Sequence, residues 1–123
     1  MKVRSKKITD GVRGMSCELR VASLFGMTCA SDETVVAAHL PGCGSGMGTK
    51  ASDLHIVAAC HTCHGILDRV AIADMGLTGP DSMPGRADAF WRRVITGSAA
   101  TIDALVGKGL ITVPGAKIRK GNR

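Results

Sequence analysis

Three stretches in the first half of the chain have the apolar pattern of short strands. In residues 13–21, Cys17, Leu19 and Val21 alternate with polar residues, which is typical of a half-buried strand entered through a turn. Residues 35–40 are an apolar run with β-branched residues, which predicts a second strand, and residues 54–59 predict a third strand or extended segment. Residues 1–12 lack such a pattern, and we expect an irregular start followed by a short helical turn.

The second half of the chain changes to a helical period. From His64 to about Met75, apolar residues recur three and four positions apart, and Gly76 is a natural stop. Residues 84–96 predict a second helix whose inner face includes Phe90 and Trp91, and residues 99–108 a third, capped by Ser98. The predicted fold class is therefore α+β: strands, one helix carrying polar chemistry, then two supporting helices.

A glycine-rich loop joins the second and third predicted strands. Residues 41–50 contain four glycines and end in Thr49-Lys50. A nucleotide-binding loop needs lysine followed by Ser or Thr, and here the order is reversed. We therefore predict no nucleotide cofactor, and we expect Lys50 to contact a phosphate of a larger ligand.

The ends of the chain carry most of its positive charge. The formal net charge is +6; residues 1–20 hold six basic and two acidic side chains, and residues 114–123 hold four basic and none acidic. This distribution favours a polyanionic partner such as DNA, although solvated tails that only aid solubility have the same composition. We predict a basic arm (1–12), a single domain (13–113) and a basic tail (114–123).

Composition points to a small reduced protein that needs a cross-link. The chain has 123 residues with few aromatic side chains, so its core is thin, and a metal ion would compensate. The basic start leads into no apolar signal segment, and no stretch is long enough to span a membrane. We expect a cytoplasmic protein, whose clustered thiols stay reduced and bind metal.

Cysteine spacing predicts a structural zinc site. Cys60-x2-Cys63 opens a helix, and two thiolates at this spacing can bind one tetrahedral Zn²⁺. Cys17 and Cys29 are the candidates for the other two ligands. Alternatives remain: Cys17 and Cys29 as small buried side chains, a redox Cys-x-x-Cys, or replacement of a ligand by a residue outside the four. Residues that could substitute as ligands are His61, His64 and Cys43, the last of which we predict to be a free thiol.

Polar side chains on a strand and on a helix, which we expect to face each other across one phosphate group, predict hydrolysis of a phosphodiester. His64 and Asp68 share one helical face at i, i+4, which gives two ligands for a divalent cation, Mg²⁺ or Mn²⁺. His39, at the end of an apolar strand, is the candidate general base that takes a proton from water. A hydrogen-bonded core histidine and an ordinary surface carboxylate are the alternative interpretations of His39 and Asp68.

The chain from Lys6 to about Val113 resembles the small HNH (ββα-metal) nucleases encoded by lambdoid prophages. The motifs that carry this resemblance are Arg13-Gly14-x2-Cys17-x-Leu19-Arg20-Val21, Thr34-Val35-Val36-Ala37-Ala38-His39-Leu40, Gly46-x-Gly48-Thr49-Lys50-x2-Asp53-Leu54 and Ala59-Cys60-x2-Cys63-His64-x3-Asp68-Arg69.

The resemblance implies a zinc-stabilised ββα-metal core and a role for each motif residue. It makes His39 the general base and His64 and Asp68 the metal ligands, and it places Asp53 where the superfamily usually has an asparagine that orients the base or the loop. The chain departs from the pattern at that position and at Ala38, since many members carry a metal ligand just before the base.

Together these observations predict a metal-dependent DNA endonuclease of phage or prophage type. The expected backbone contacts are Lys50, Arg69, Arg92 and Arg93. Phosphate contacts carry no base information, so we expect weak sequence preference. Two alternatives belong to other classes: a non-catalytic zinc-containing nucleic-acid-binding module in phage recombination, acting beside a recombination protein, and a zinc-stapled protein-interaction domain.

Overall fold

The computed structural model describes residues 2–41, 51–80 and 82–119. Within them the chain forms three helices and a two-stranded sheet, which confirms the α+β class. The elements in chain order are α1 (Lys6–Val12), β1 (Val36–His39), β2 (Ile56–Ala59), α2 (His61–Ala73) and α3 (Arg86–Gly107), with short 3-10 turns at Ala22–Phe25 and Asp32–Thr34. No helix in this part of the chain is long and apolar enough to cross a membrane.

A β-hairpin followed directly by a helix forms the centre of the molecule. β1 and β2 pair antiparallel, with Val36 opposite Ala59 and His39 opposite Ile56. Only one residue, Cys60, separates β2 from α2, and its sulfur accepts a hydrogen bond from the amide of Cys63. This cap explains why α2 starts at His61, three residues before the predicted start at His64.

Residues 13–21 do not form the predicted strand. Their alternation does predict burial correctly, because Cys17, Leu19 and Val21 all lie in the core. However, the amides of Glu18 and Leu19 both donate to one carbonyl, that of Ala58, instead of forming a ladder. Arg20 then takes a left-handed conformation with φ of 50°, which ends the extended segment.

The two supporting helices predicted from the sequence are one continuous helix, α3. Ser98 does not cap a new helix, since its hydroxyl donates to the carbonyl of Ile56 in β2. One turn later, Thr101 accepts a hydrogen bond from the amide of Ala58 and donates to the carbonyl of Gly97. The glycine and serine, which resemble helix breakers in the sequence, are the residues through which α3 packs onto β2.

The core is aliphatic around one buried aromatic residue. Phe90 of α3 is fully buried, whereas Trp91 is 42% exposed and Ile95 is 70% exposed. The prediction that Trp91 points into the core was therefore wrong, because α3 has a wider apolar face than the hairpin covers. α1 contributes Ile8 and Val12 to the core.

Gly97 gives a test of how closely α3 approaches the segment before it. A methyl group at Gly97 would lie 2.5 Å from the carbonyl oxygen of Glu18 and 3.1 Å from Val57. Alanine is favoured over glycine in a helix by about 1 kcal/mol, but overpacking against backbone costs about 1–3 kcal/mol. We expect Gly97→Ala to lower the free energy of unfolding, measured by urea denaturation. The control Gly107→Ala, in the same helix but in open space, should not lower it; equal stabilisation by both would contradict this packing.

Candidate active site and metal centre

Four cysteine thiols converge beside the start of α2. The sulfurs of Cys17, Cys29, Cys60 and Cys63 all lie within 4.8 Å of one another. The sulfurs of Cys29 and Cys63 are 3.6 Å apart, far longer than a disulfide bond of about 2.05 Å. Tetrahedral zinc with Zn–S bonds of about 2.3 Å requires sulfurs about 3.8 Å apart. The cluster therefore has the dimensions to hold a metal ion such as zinc.

Each cysteine reaches the cluster from a different element. Cys60 lies between β2 and α2, and Cys63 lies in the first turn of α2. Cys17 belongs to the segment whose amides bond to Ala58 of β2, and Cys29 follows the Ala22–Phe25 turn. That turn shortens the long gap between Cys17 and Cys29, which the spacing alone left unexplained. Backbone amides also point at sulfur: that of Cys60 donates to Cys17, and that of Ala30 donates to Cys60.

The thiols share protons unequally within the cluster. A hydrogen bond from the Cys63 thiol is the main cause that lowers the pKa of Cys17 to about 4, against the opposing effect of burial, with help from the amides of Arg20 and Cys60. The same bond raises the pKa of Cys63, and burial raises that of Cys29 to about 11. One sulfur thus ionises readily, and a metal ion bound here would displace the remaining protons.

His39 and Asp53 form a hydrogen-bonded pair at the other end of the hairpin. His39 is the last residue of β1, and Asp53 lies in the segment that leads into β2. The Nε2 atom of His39 is 2.8 Å from Oδ1 of Asp53, and the two side chains are 30% and 10% exposed. The sequence named both residues, but only the resemblance suggested that they act together.

Asp53 is held by residues near the start of the chain that the sequence analysis missed. Its Oδ2 accepts a hydrogen bond of 2.7 Å from the amide of Ser5, and the Arg4 guanidinium lies 4.0 Å from Oδ1. Burial would raise the pKa of Asp53, but the bonds from His39 and Ser5 and the charge of Arg4 hold it below its usual value. The Ser5 contact is made by a backbone amide, so no side-chain pattern in the sequence signals it.

His64 and Asp68 lie side by side on α2. The Nε2 atom of His64 is 3.7 Å from Oδ2 of Asp68, and their side chains are 37% and 68% exposed. Two ligands at about 2.1 Å from one cation lie about 3–4 Å apart, so this pair can hold a divalent ion. Among the described residues, no hydrogen bond or ion pair joins it to His39 or Asp53.

The expected DNA-contact residues differ in how they are held. Arg92 pairs with Asp88 at 3.1 Å on the exposed side of α3. Arg93 instead donates to the carbonyl of Arg20 and the hydroxyl of Ser23, so it ties α3 to the cysteine-bearing segment. Arg69 is exposed on α2, and Lys50 lies outside the described residues, as does Cys43.

A cleft lies beside the cysteine cluster, with Cys29 in its lining. It has a volume of about 770 Å³, and it is lined by some of the residues between Glu18 and Cys29 and by one face of α3 that includes Arg93 and Ala100. Neither His39, Asp53, His64 nor Asp68 lines it. The two polar pairs therefore lie outside this cleft: His39, His64 and Asp68 are partly or largely exposed, whereas Asp53 is buried.

Comparison with known proteins places these residues inside one family. A family model described as "Putative nuclease YbcO" matches residues 6–78, more than half of the chain. The matched range contains all four clustered cysteines and both polar pairs. No curated protein and no solved structure matches the chain.

Proposed function

Because the chain belongs to the putative nuclease family YbcO, whose substrate class is nucleic acid, we propose that it is a metal-dependent DNA endonuclease of the HNH type, as in phages and prophages. The observation that carries this proposal is the contact of 2.8 Å between His39 and Asp53 at the end of β1. A histidine oriented by a carboxylate and partly open to solvent is the arrangement of a general base.

Asp53 determines which nitrogen of His39 is available for proton transfer. An ionised carboxylate can only accept a hydrogen bond, so the proton of the neutral imidazole resides on Nε2, next to Oδ1 of Asp53. The lone pair is then on Nδ1. His39 takes a proton at this atom from the water that attacks phosphorus, and Asp53 stabilises the positive ring that results.

His64 and Asp68 are the proposed ligands of a catalytic Mg²⁺ or Mn²⁺. Their donor atoms are separated by a distance that suits one cation, and Ala38, directly before His39, offers no ligand. When bound, such an ion supplies positive charge that stabilises the scissile phosphate and the leaving oxygen. The remaining coordination positions are open to water and phosphate oxygens.

The cysteine cluster and the basic side chains have supporting roles in this proposal. Zn²⁺ held by the four thiols ties the segment from Cys17 to Cys29 to the start of α2. Arg69, Arg92 and the basic ends of the chain contact the DNA backbone, together with Lys50, which precedes β2 in the sequence. Phosphate contacts of this kind give affinity with weak sequence preference.

Cleavage of supercoiled plasmid by the full-length protein tests the proposal. We expect nicked and then linear DNA with Mg²⁺ or Mn²⁺, and no cleavage when a chelator removes the added cation. The missing ligand at Ala38 favours one competing function, a zinc-containing module that binds nucleic acid without cutting it, beside a recombination protein. If the protein binds DNA in a gel-shift assay but does not cleave it with either cation, that alternative is established and the nuclease proposal is contradicted.

A further inference from the structure

Residues 3–5 lie alongside residues 51–53 as a short strap that ends at the candidate active site. The amide of Val3 donates to the hydroxyl of Ser52 at 3.0 Å, and the carbonyl of Val3 accepts from the amide of Asp53 at 2.8 Å. The Arg4 guanidinium donates to the carbonyl of Ala51. We call residues 3–5 the N-terminal strap.

The strap occupies the side of Asp53 that His39 leaves free. His39 bonds to Oδ1, whereas the amide of Ser5 bonds to Oδ2 at 2.7 Å. A carboxylate held at both oxygens by groups on different segments has little freedom to rotate. Asp53 itself is only 7% exposed, so water competes weakly for these bonds.

We propose that the N-terminal strap is a positioning element for His39, acting through Asp53. The proposal rests on the function proposed above and adds residues that lie before the range 6–78 matched by the family model. In it, Arg4 and Ser5 set the plane of the Asp53 carboxylate. The plane of the carboxylate fixes the orientation of the His39 ring, and Nδ1 stays accessible to the attacking water.

The strap is anchored firmly enough for this role. The Ser5 hydroxyl accepts a hydrogen bond from the amide of Ile8 and so caps α1, whose Ile8 and Val12 side chains are buried. One side of the strap is thus fixed to the core by α1, and the other by the bonds to residues 51–53. A segment that served only to attract DNA would need none of these contacts.

Arg4 is the charged side chain that the described contacts bring to this pair. On α1, which packs against β1, Lys6 and Arg13 both pair with Asp10, and Lys7 is exposed. Replacing Arg13 therefore removes the same charge from the same end of the chain without touching the strap. This makes Arg13→Met a matched control for Arg4→Met.

Steady-state cleavage by the zinc-loaded full-length protein between pH 5 and 9 tests the inference. We expect Arg4→Met to lower kcat about tenfold, less than the roughly hundredfold that a displaced reacting group can cost. The acid limb of its kcat profile should move to higher pH, because loss of a positive charge eases protonation of the pair. Arg4→Lys should recover most of kcat, while Arg13→Met should change KM alone.

Two results would overturn the inference, and they differ from failure of the nuclease proposal. If Arg4→Met and Arg13→Met both change only KM, the strap serves DNA affinity and not the position of His39. If the wild-type protein cuts no DNA, NMR titration of the His39 ring still decides the point. Its midpoint must shift in Arg4→Met and not in Arg13→Met, and an unchanged midpoint in both would refute a coupling through Asp53.

Discussion

Replacing Cys63 with serine is expected to leave the protein unfolded or only partly folded at room temperature. Cys63 is fully buried, and its sulfur lies 3.6 Å from that of Cys29 within the four-thiol cluster. Structural zinc contributes about 10–16 kcal/mol in small domains at neutral pH, whereas the whole stability of a domain is about 5–15 kcal/mol. If the cluster holds zinc, loss of one of its four thiols would therefore remove an amount comparable to the entire stability. Circular dichroism melts and zinc content measured on the same samples check this.

A matched substitution separates zinc binding from packing. Cys43→Ser also removes one thiol, but from a position that the sequence predicts to be a free cysteine, so it should keep one zinc per chain and the wild-type melting temperature. Cys63→Ala keeps an apolar side chain and should be as damaging as Cys63→Ser if zinc is the cause. A wild-type protein that melts normally with no zinc bound would show that the cluster is only a packed group of thiols.

The sequence predicted the two strands and α2, because local pattern and tertiary structure agree there, although it did not predict how the strands pair. The apolar runs at 35–40 and 54–59 became β1 and β2, and Cys60-x2-Cys63 opens a helix as expected. Strand burial and helix capping depend on neighbours a few residues away, which a pattern can register. The cysteine cluster was predicted as well, from the Cys60-x2-Cys63 spacing and the two cysteines before it, although the gap between Cys17 and Cys29 is wide for a metal site.

The secondary-structure predictions were wrong where contacts between distant parts of the chain determine the fold. Residues 13–21 alternate like a strand. However, they bond to β2 through a single carbonyl, that of Ala58, and do not pair along a strand edge. Gly97 and Ser98 would break an isolated helix, yet they let α3 approach the backbone of Glu18 and bond to Ile56. No local window contains both sides of such a contact.

In the candidate site too, residues were predicted from local patterns, but a contact between distant residues was not. His39 and Asp53 were both named, yet the approach of Ser5 to Asp53 joins residues 48 positions apart through a backbone amide. A backbone amide is present at almost every position, so its use at one of them leaves no mark in the sequence. From the sequence, the basic residues near the start of the chain were interpreted as an arm for DNA, and their contacts with residues 51–53 were not predicted.

Replacing His39 with alanine is expected to lower the rate of plasmid cleavage by about 10²–10⁴-fold while the protein stays folded. A general base contributes about this much to a rate. The fold should tolerate the change because His39 is partly exposed, and because Asp53 keeps its bonds to Ser5 and its contact with Arg4. No buried carboxylate is left without a partner, so the melting temperature should fall by only a few degrees.

His55→Ala is the matched control, because His55 lies between β1 and β2, as Asp53 does, but its side chain is exposed to solvent. It should cut DNA at the wild-type rate. If His39→Ala instead melts far below the wild type, His39 is a structural residue of the hairpin, and its bond to Asp53 serves folding. If His39→Ala is stable and still cuts at the wild-type rate, the base is another group, since an alanine side chain cannot accept the proton. Only a stable, zinc-loaded and inactive variant, beside an active His55→Ala, fits proton transfer at His39.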